Sequence, residues 1–446
     1  MRFLIFVLFT VSVSISHAKD DGRTKPNIVF LLVDDMGYGD IASYGAPDVR
    51  TPNLDRLAKE GVRFTQFYAN GAECSPTRTS IFTGRYPQRV GGMECAIGTG
   101  NVGRYDDAIR LAAQHDLGLP AEKAVLAQPL KNQGYATGVF GKWHLGYETK
   151  FLPSRFGFDE SFYFLGGNVD YFTHQELSPL PVLYKGNTPL ERPGYMTHLL
   201  TEDATAFIEK HKDGPFFLYV PFSTPHFPFQ APGDAEKVFT AENWMAGSRE
   251  TYVAMLEDMD TQVGRILKSL HDAGVDKNTL LVFASDHGAM EPGRNEPFRG
   301  KKGGLFEGGI RTVCMARWPG HLPAGTVSSQ VTLTMDLTAS FLRVAGAGDG
   351  RPLDGIDILQ HIEAGKPDIP RSIGWRARRG DRTWWAYRDG DMKYVRKLEG
   401  GVDEEWAFDL ATDPGEKFSL IGKRGDVVNK LKAKLSAWEA EVRPER

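Results

Sequence analysis

Six apolar residues in a row, Ile28 to Val33, run straight into Asp34-Asp35. A strand with one wet face alternates apolar and polar side chains, so an unbroken run of this length belongs in a parallel sheet covered on both sides. Similar runs return at Ala136 to Phe140, Phe216 to Val220 and Thr279 to Ala284. Helical stretches lie between them. Thr51 can cap a helix through Leu54, Leu57 and Ala58 that Gly61 closes, followed by a strand from Val62 to Tyr68. Leu126 to Asn132 reads as another helix, ended by Gly134. Tyr252, Met255, Met259, Val263, Ile266, Leu267 and Leu270 recur at three- and four-residue intervals, which predicts a long amphipathic helix over Glu250 to Ala273. Strands alternating with helices predict an α/β fold: a large, mainly parallel central sheet with helices on both faces.

Near residue 366 the texture changes. Short strand-like pieces at Trp384 to Arg388, Lys393 to Lys397 and Trp406 to Leu410 precede a helix from about Asp426 to Val442. They predict a small C-terminal subdomain of antiparallel sheet and a packed helix, over 366–446. Residues 1–18 read as a signal peptide: Arg2, an apolar run from Phe3 to Ile15, then Ser16-His17-Ala18, with cleavage expected near Ala18. The run is shorter than the roughly 20 apolar residues that span a bilayer, and Lys19-Asp20-Asp21 follow at once, so no stable membrane anchor is expected. The protein is then exported, periplasmic or secreted, with 19–365 as the α/β domain that carries the chemistry. Three cysteines, Cys74, Cys95 and Cys314, are too few for a disulfide scaffold, and Cys95 and Cys314 could pair or stay free. A net charge of -4 with no long basic run gives no case for a nucleic-acid partner.

Ligands of open parallel sheets bind outside the carboxyl ends of the strands. Asp34 and Asp35 stand at one such end, and Ser285-Asp286-His287-Gly288 at another. Adjacent carboxylates repel unless a countercharge joins them, and a hard divalent cation, calcium or magnesium, suits oxygen donors. Cationic groups also follow strands: Gly141-Lys142-Trp143-His144, Thr224-Pro225-His226, and Lys301-Lys302-Gly303 ahead of Glu307-Gly308-Gly309-Ile310-Arg311. Taken singly, each is an ordinary surface lysine or hydrogen-bonded histidine. Gathered at strand ends they describe a pocket for a tetrahedral oxyanion. Gly98-Thr99-Gly100-Asn101-Val102-Gly103 has the spacing of a dinucleotide fingerprint, but no apolar strand precedes it; it reads as a flexible loop.

Cys74-Ser75-Pro76-Thr77-Arg78 reads as a loop turning into a helix, with Ser75 as N-cap, Pro76 in the first turn and Gly84 at the end. Cys74 then sits where backbone N–H groups and the helix dipole favour negative charge, with Arg78 one turn on.

Cys74-x-Pro76-x-Arg78, extended to Thr83-Gly84-Arg85, resembles the signature of the type I, formylglycine-dependent sulfatases, and the resemblance runs from Asn27 to the C-terminal subdomain. It implies that a separate maturation enzyme, reading linear sequence, oxidises Cys74 to formylglycine. The aldehyde hydrate would attack sulfur with one hydroxyl and expel sulfate with the other. Carried over residue by residue, it makes Asp34, Asp35, Asp286 and His287 ligands of a divalent ion, usually calcium, with the converted Cys74 beside them. Arg78 would hold the hydrate, Lys142 and Lys302 would grip sulfate oxygens, His144 would assist sulfate release and His226 would protonate the leaving oxygen. Lys302 fits better than Lys301 because it directly precedes Gly303. Many members have Asn where this chain has His287, a softer donor.

The alcohol must be recognised by variable segments: residues 93–123, the run Asn168 to His174, and Trp375, Arg376, Arg378 and Arg379. Within them Asp170, His174, Arg376 and Arg378 are the expected substrate contacts, because aromatic faces with Arg or Asp forks suit a sulfated saccharide. A phosphonate or phosphate ester hydrolase and a non-catalytic sulfated-glycan binder are the alternatives.

Overall fold

The strand Asn27–Val33 is buried at all seven positions. In this computed structural model, which describes residues 25–178 and 180–444, it pairs in parallel with Phe216–Pro221 on one side and Thr279–Ser285 on the other. Ala136–Lys142 extends the parallel set beyond Phe216–Pro221. Val62–Tyr68 points the same way at the other flank, separated by the antiparallel Arg311–Arg317. Among the described residues eleven strands form this sheet, so it is mixed but mostly parallel. Its parallel members all end on one edge. That edge therefore receives Asp34, the segment leading to Cys74, Lys142, the Thr224 to His226 segment and Asp286, and the reversed Arg311–Arg317 is entered from it.

Alternate side chains of the central strand face opposite ways. Ile28, Phe30 and Leu32 pack with Ile81, Phe82, Trp143 and Phe341, whereas Val29, Leu31 and Val33 pack with Leu200, Met255, Met259 and Val263. Helices Cys74–Thr83 and Thr334–Ala345 cover the first face, and Met196–His211 and Arg249–Asp272 the second. Phe82 makes edge contacts with Trp143, Phe156, Phe158 and Tyr219, so the Cys74 helix is keyed to the sheet by one ring. No helix among the described residues is long and apolar enough to cross a membrane. The expected signal peptide lies outside them.

The second sheet has four antiparallel strands rather than three: Ser372–Arg379, Arg382–Asp389, Met392–Glu399 and Val402–Asp409. Gly380, Gly390 and Gly400 take positive φ in the two-residue loops between them, a conformation that costs glycine nothing. Helix Gly425–Glu441 closes its core through Val428, Leu431, Leu435 and Trp438. A buried polar seam joins the sheets. Lys393 Nζ bonds Glu307 Oε1 at 2.8 Å and Glu416 Oε1 at 2.9 Å, Tyr68 donates to Glu307 Oε2 at 2.6 Å, and Arg388 Nη1 donates to the Tyr68 hydroxyl. Trp375 Nε1 donates to the Ala69 carbonyl, fixing the second sheet three residues before the first one's loop reaches Ala72.

Candidate active site

Cys74 opens the helix Cys74–Thr83, and the cap position falls on Glu73 rather than Ser75. The Ser75 hydroxyl is instead taken by the Ile97 amide at 3.2 Å, a tertiary bond that outcompetes the local one. Gly84 ends the helix in the left-handed region, φ 62°, with its amide on the Ser80 carbonyl. The thiol lies 3.3 Å from Asp34 Oδ1, 3.2 Å from His287 Nε2 and 3.6 Å from Lys302 Nζ.

The neighbours form one connected set. Asp34 is bonded by Lys142 Nζ, and Asp35 by Lys302 Nζ at 2.6 Å. The Asp35 amide donates to Asp286 Oδ1 at 3.3 Å, and Arg78 spans from Asp286 Oδ2 at 3.3 Å to the Lys142 carbonyl at 2.8 Å. His226 Nε2 faces Lys302 Nζ at 3.1 Å and Asp35 Oδ2 at 3.5 Å, while its Nδ1 contacts the Phe227 carbonyl. His144 Nε2 meets the Ile97 carbonyl at 2.8 Å, and its Nδ1 is buried without a partner. A Cβ on Gly167 would stand 2.9 Å from that ring, so only glycine lets the histidine close over the site. Lys301 is turned away to Glu291 on the surface.

Desolvation and crowded charge pull several members of the set away from their ordinary values, in opposite directions. Burial and the Cys74 thiol push Asp34 well above the usual carboxylate range. Burial alone would raise Cys74, but Lys142, Lys302 and His287 reverse this and hold the thiol well below its ordinary value. Burial drives His144 down to about 4. His287 resists the pull of burial, and Asp286 and Cys74 carry it up to about 9.

Ligand atoms of Asp34, Cys74, Asp286 and His287 lie within 4.8 Å of one another, as do those of Asp34, Asp35, Cys74 and His226. Three convergent carboxylates with one imidazole make a hard, oxygen-rich donor set that fits a divalent cation such as calcium or magnesium. The residues present therefore suit the ion.

Above Cys74 opens a cavity of about 770 Å³. Its walls include Thr99, Arg104, Glu176, Trp244, Arg379 and Arg382. The Gly98 to Gly103 stretch is no loose loop: Gly98 and Val102 bridge, and it forms one side of the opening. Glu176 is pushed up to about 7 by burial, bonds Thr99 through Oε2 and leaves Oε1 unpartnered. Trp244 Nε1 donates to Asn168 Oδ1 at 3.0 Å.

The four expected substrate contacts do not meet there. Asp170 Oδ1 accepts from the Phe172 and Thr173 amides at 2.8 and 2.7 Å, stapling its own loop. His174 binds the Gly194 carbonyl beside a different cavity. Arg376 forks onto Glu94 with two bonds of 2.8 Å, and Arg378 meets the same carboxylate at 3.3 Å. Both arginines sit on the strand face opposite Trp375 and Ala377, the side chains packed in the second core. Arg379 shares the face of Trp375 and Ala377, and it is Arg379 that reaches the cavity. Arg104 lay within the named segment 93–123 without being singled out, Glu176, Trp244 and Arg382 carry no local mark, and Arg379 lay among the arginines picked by residue type. Cys74, Cys95 and Cys314 are separate buried thiols.

The family model described as Sulfatase matches residues 26–347. N-acetylgalactosamine-6-sulfatase of Rattus norvegicus is 35% identical over 452 residues, covering 89% of this chain and 81% of the relative. Arylsulfatase A of Homo sapiens is 31% identical over 456 residues, covering 89% and 83%. The crystal structure of Ps i-CgsB in complex with k-i-k-neocarrahexaose superposes with a TM-score of 0.80 at 28% identity over 93% of each chain.

Proposed function

The chain belongs to the sulfatase family and is a sulfuric ester hydrolase, and from that premise we propose how it works and on what. Its substrate is a sulfated carbohydrate, as the names of its relatives suggest for them, and its place of action is outside the cytoplasm after removal of residues 1–18. Residues 19–365 carry the chemistry, and 366–446 complete the cavity.

The observation that carries this reading is the meeting of Cys74 with Asp34, His287 and Lys302 at the closed end of the cavity. Residue 74, converted to formylglycine by a maturation enzyme, supplies the attacking hydroxyl. Asp34, Asp35, Asp286 and His287 would hold calcium, which draws charge from the sulfate oxygens. Lys142 and Lys302, each already on a carboxylate, would turn their ammonium groups to the other sulfate oxygens as charge develops there. Arg78, fully buried, offsets Asp286 and braces the Lys142 backbone, and from there would hold the hydrate of residue 74. His226 commits Nδ1 to a carbonyl and turns Nε2 to the Lys302 ammonium at 3.1 Å, so a proton taken up at Nε2 from Lys302 can pass to the leaving oxygen. His144 has an unpartnered Nδ1 on the same side as residue 74 and can take the proton that sulfate release requires.

The test uses enzyme produced with its maturation partner. Mass spectrometry of the peptide spanning residue 74 should show the aldehyde, sulfate esters should be hydrolysed far faster than matched phosphate esters, and chelation should lower the rate until calcium is returned. Dominant phosphatase activity, or a thiol throughout with no sulfate release from any saccharide, would refute it.

A further inference from the structure

One side of the cavity is cationic beyond what the reacting sulfate needs. Arg104, Arg379 and Arg382 all line it. They converge from two segments, because the amide of Gly380, in the loop between Arg379 and Arg382, donates to the Arg104 carbonyl. Their charges are unequally met. Arg379 is answered by Glu73 at 2.8 Å. Among the described residues Arg382 ion-pairs only with Glu399, at 3.8 Å and 41% exposed, a contact that water screens. Arg104 makes no ion pair among the described residues, and its Nε is buried without a hydrogen-bond partner. The other acidic group of the lining, Glu176, is engaged by Thr99.

Both weakly met guanidinium groups stand next to the chemistry. Arg382 Nη2 is 3.5 Å from where a Cβ of Gly303 would be, and Gly303 follows Lys302. Arg104 Nη2 is 3.7 Å from the corresponding point on Gly98, which follows Ile97, the residue whose carbonyl meets His144. A guanidinium held at a cavity wall without a carboxylate loses hydration and gains nothing from the protein, so an anionic ligand recovers that loss through paired N–H bonds.

We propose that Arg104 and Arg382 seat a second anionic group of the substrate, a carboxylate or a further sulfate on the same sugar or its neighbour. The enzyme thus selects multiply charged saccharides over singly sulfated neutral ones. This rests on the sulfatase reading above and names the substrate class within it.

Three probes sharing the same scissile ester test it: a galactose monosulfate, a galactose disulfate, and a disaccharide joining the monosulfate to a glucuronate. The expected result is a kcat/KM at least about ten-fold higher for one dianionic probe than for the monosulfate, and which probe wins identifies the second anion. Arg382→Gln and Arg104→Gln should each shrink that ratio about ten-fold, mainly through KM. Arg382→Lys, which keeps the charge but not the fork, should fall between. Equal kcat/KM for all three probes in the parent enzyme, or a ratio that survives both Gln variants and the Lys variant, overturns the proposal. Sulfate release from none of the probes nor from an aryl sulfate overturns the sulfatase reading itself, and the two failures are thereby told apart.

Discussion

The floor and the wall of the cavity are built on different principles. On the floor, Asp34, Arg78, Lys142, Asp286 and His287 are fully buried, sit at or near the ends of strands or one turn into a helix, and hold one another through several contacts each. On the wall, Arg104 and Arg382 are part-exposed, come from a loop and a hairpin end, and have loose partners or none. A floor residue is therefore fixed by the whole sheet, whereas a wall residue can change without disturbing its neighbours. Under the reading proposed above, the groups that would do the chemistry are locked in place by the architecture, while those proposed to choose the substrate lie where a change costs least.

Four measurements sharpen or break that contrast. Cys74→Ala should lower turnover by at least about 10⁴-fold while the thermal midpoint stays close to the parent, since it removes the nucleophile and little volume. Lys393→Ala acts at the seam between the sheets. It leaves the buried Glu416 without its cation and Glu307 with Arg311 alone, at 3.3 Å, and should cost about 3–5 kcal/mol in urea unfolding. Lys302→Ala should lower kcat/KM by about 10²–10³-fold, as for loss of one preorganised donor to a developing charge. A loss no larger than that of the Arg382 variants would erase the distinction between floor and wall.

The smallest effect is a pH dependence at the seam. Burial raises Glu416 to about 7, against the lowering effect of Lys393, with Glu307 adding to the rise. The folded state then binds more protons than the unfolded state between the ordinary glutamate value and about 7. Stability falls as pH rises through that window, by about 1–3 kcal/mol. Glu416→Gln should flatten this part of the stability profile; an unchanged slope would remove Glu416 as its source.

Much of the floor could be read from the chain alone because a physical rule connects pattern to place. Apolar runs end at a shared edge, so Asp34, Lys142 and Asp286 could be put together from residues far apart in sequence, whereas the preference for Lys302 over Lys301 rests on the family resemblance and not on a physical rule. The helix Thr334–Ala345 escaped notice because ten of its twelve residues are buried and leave no polar stripe to betray a period. The fourth small strand, Ser372–Arg379, was hidden by its arginines. In the wall, two of the arginines picked by residue type, Arg376 and Arg378, lie on the strand face turned from the cavity. Arg376 and Arg378 alternate with Trp375 and Arg379, and only the tertiary neighbour Glu94 decides which set looks inward. Ser75 was misassigned for the same reason, its hydroxyl being claimed by a backbone amide that no local pattern announces.

Every residue from Cys74 to Thr83 is buried, although the Cys74 sulfur itself borders the cavity. A small ester can reach that atom, but a maturation enzyme of the kind proposed above, reading Pro76 and Arg78 as a strip of chain, would find no strip on the finished molecule. The conversion proposed above would then fall in the interval between synthesis and folding. On that reading, how much of the population is ever armed is a race between two clocks, and a variant that folds faster would be the less active for it.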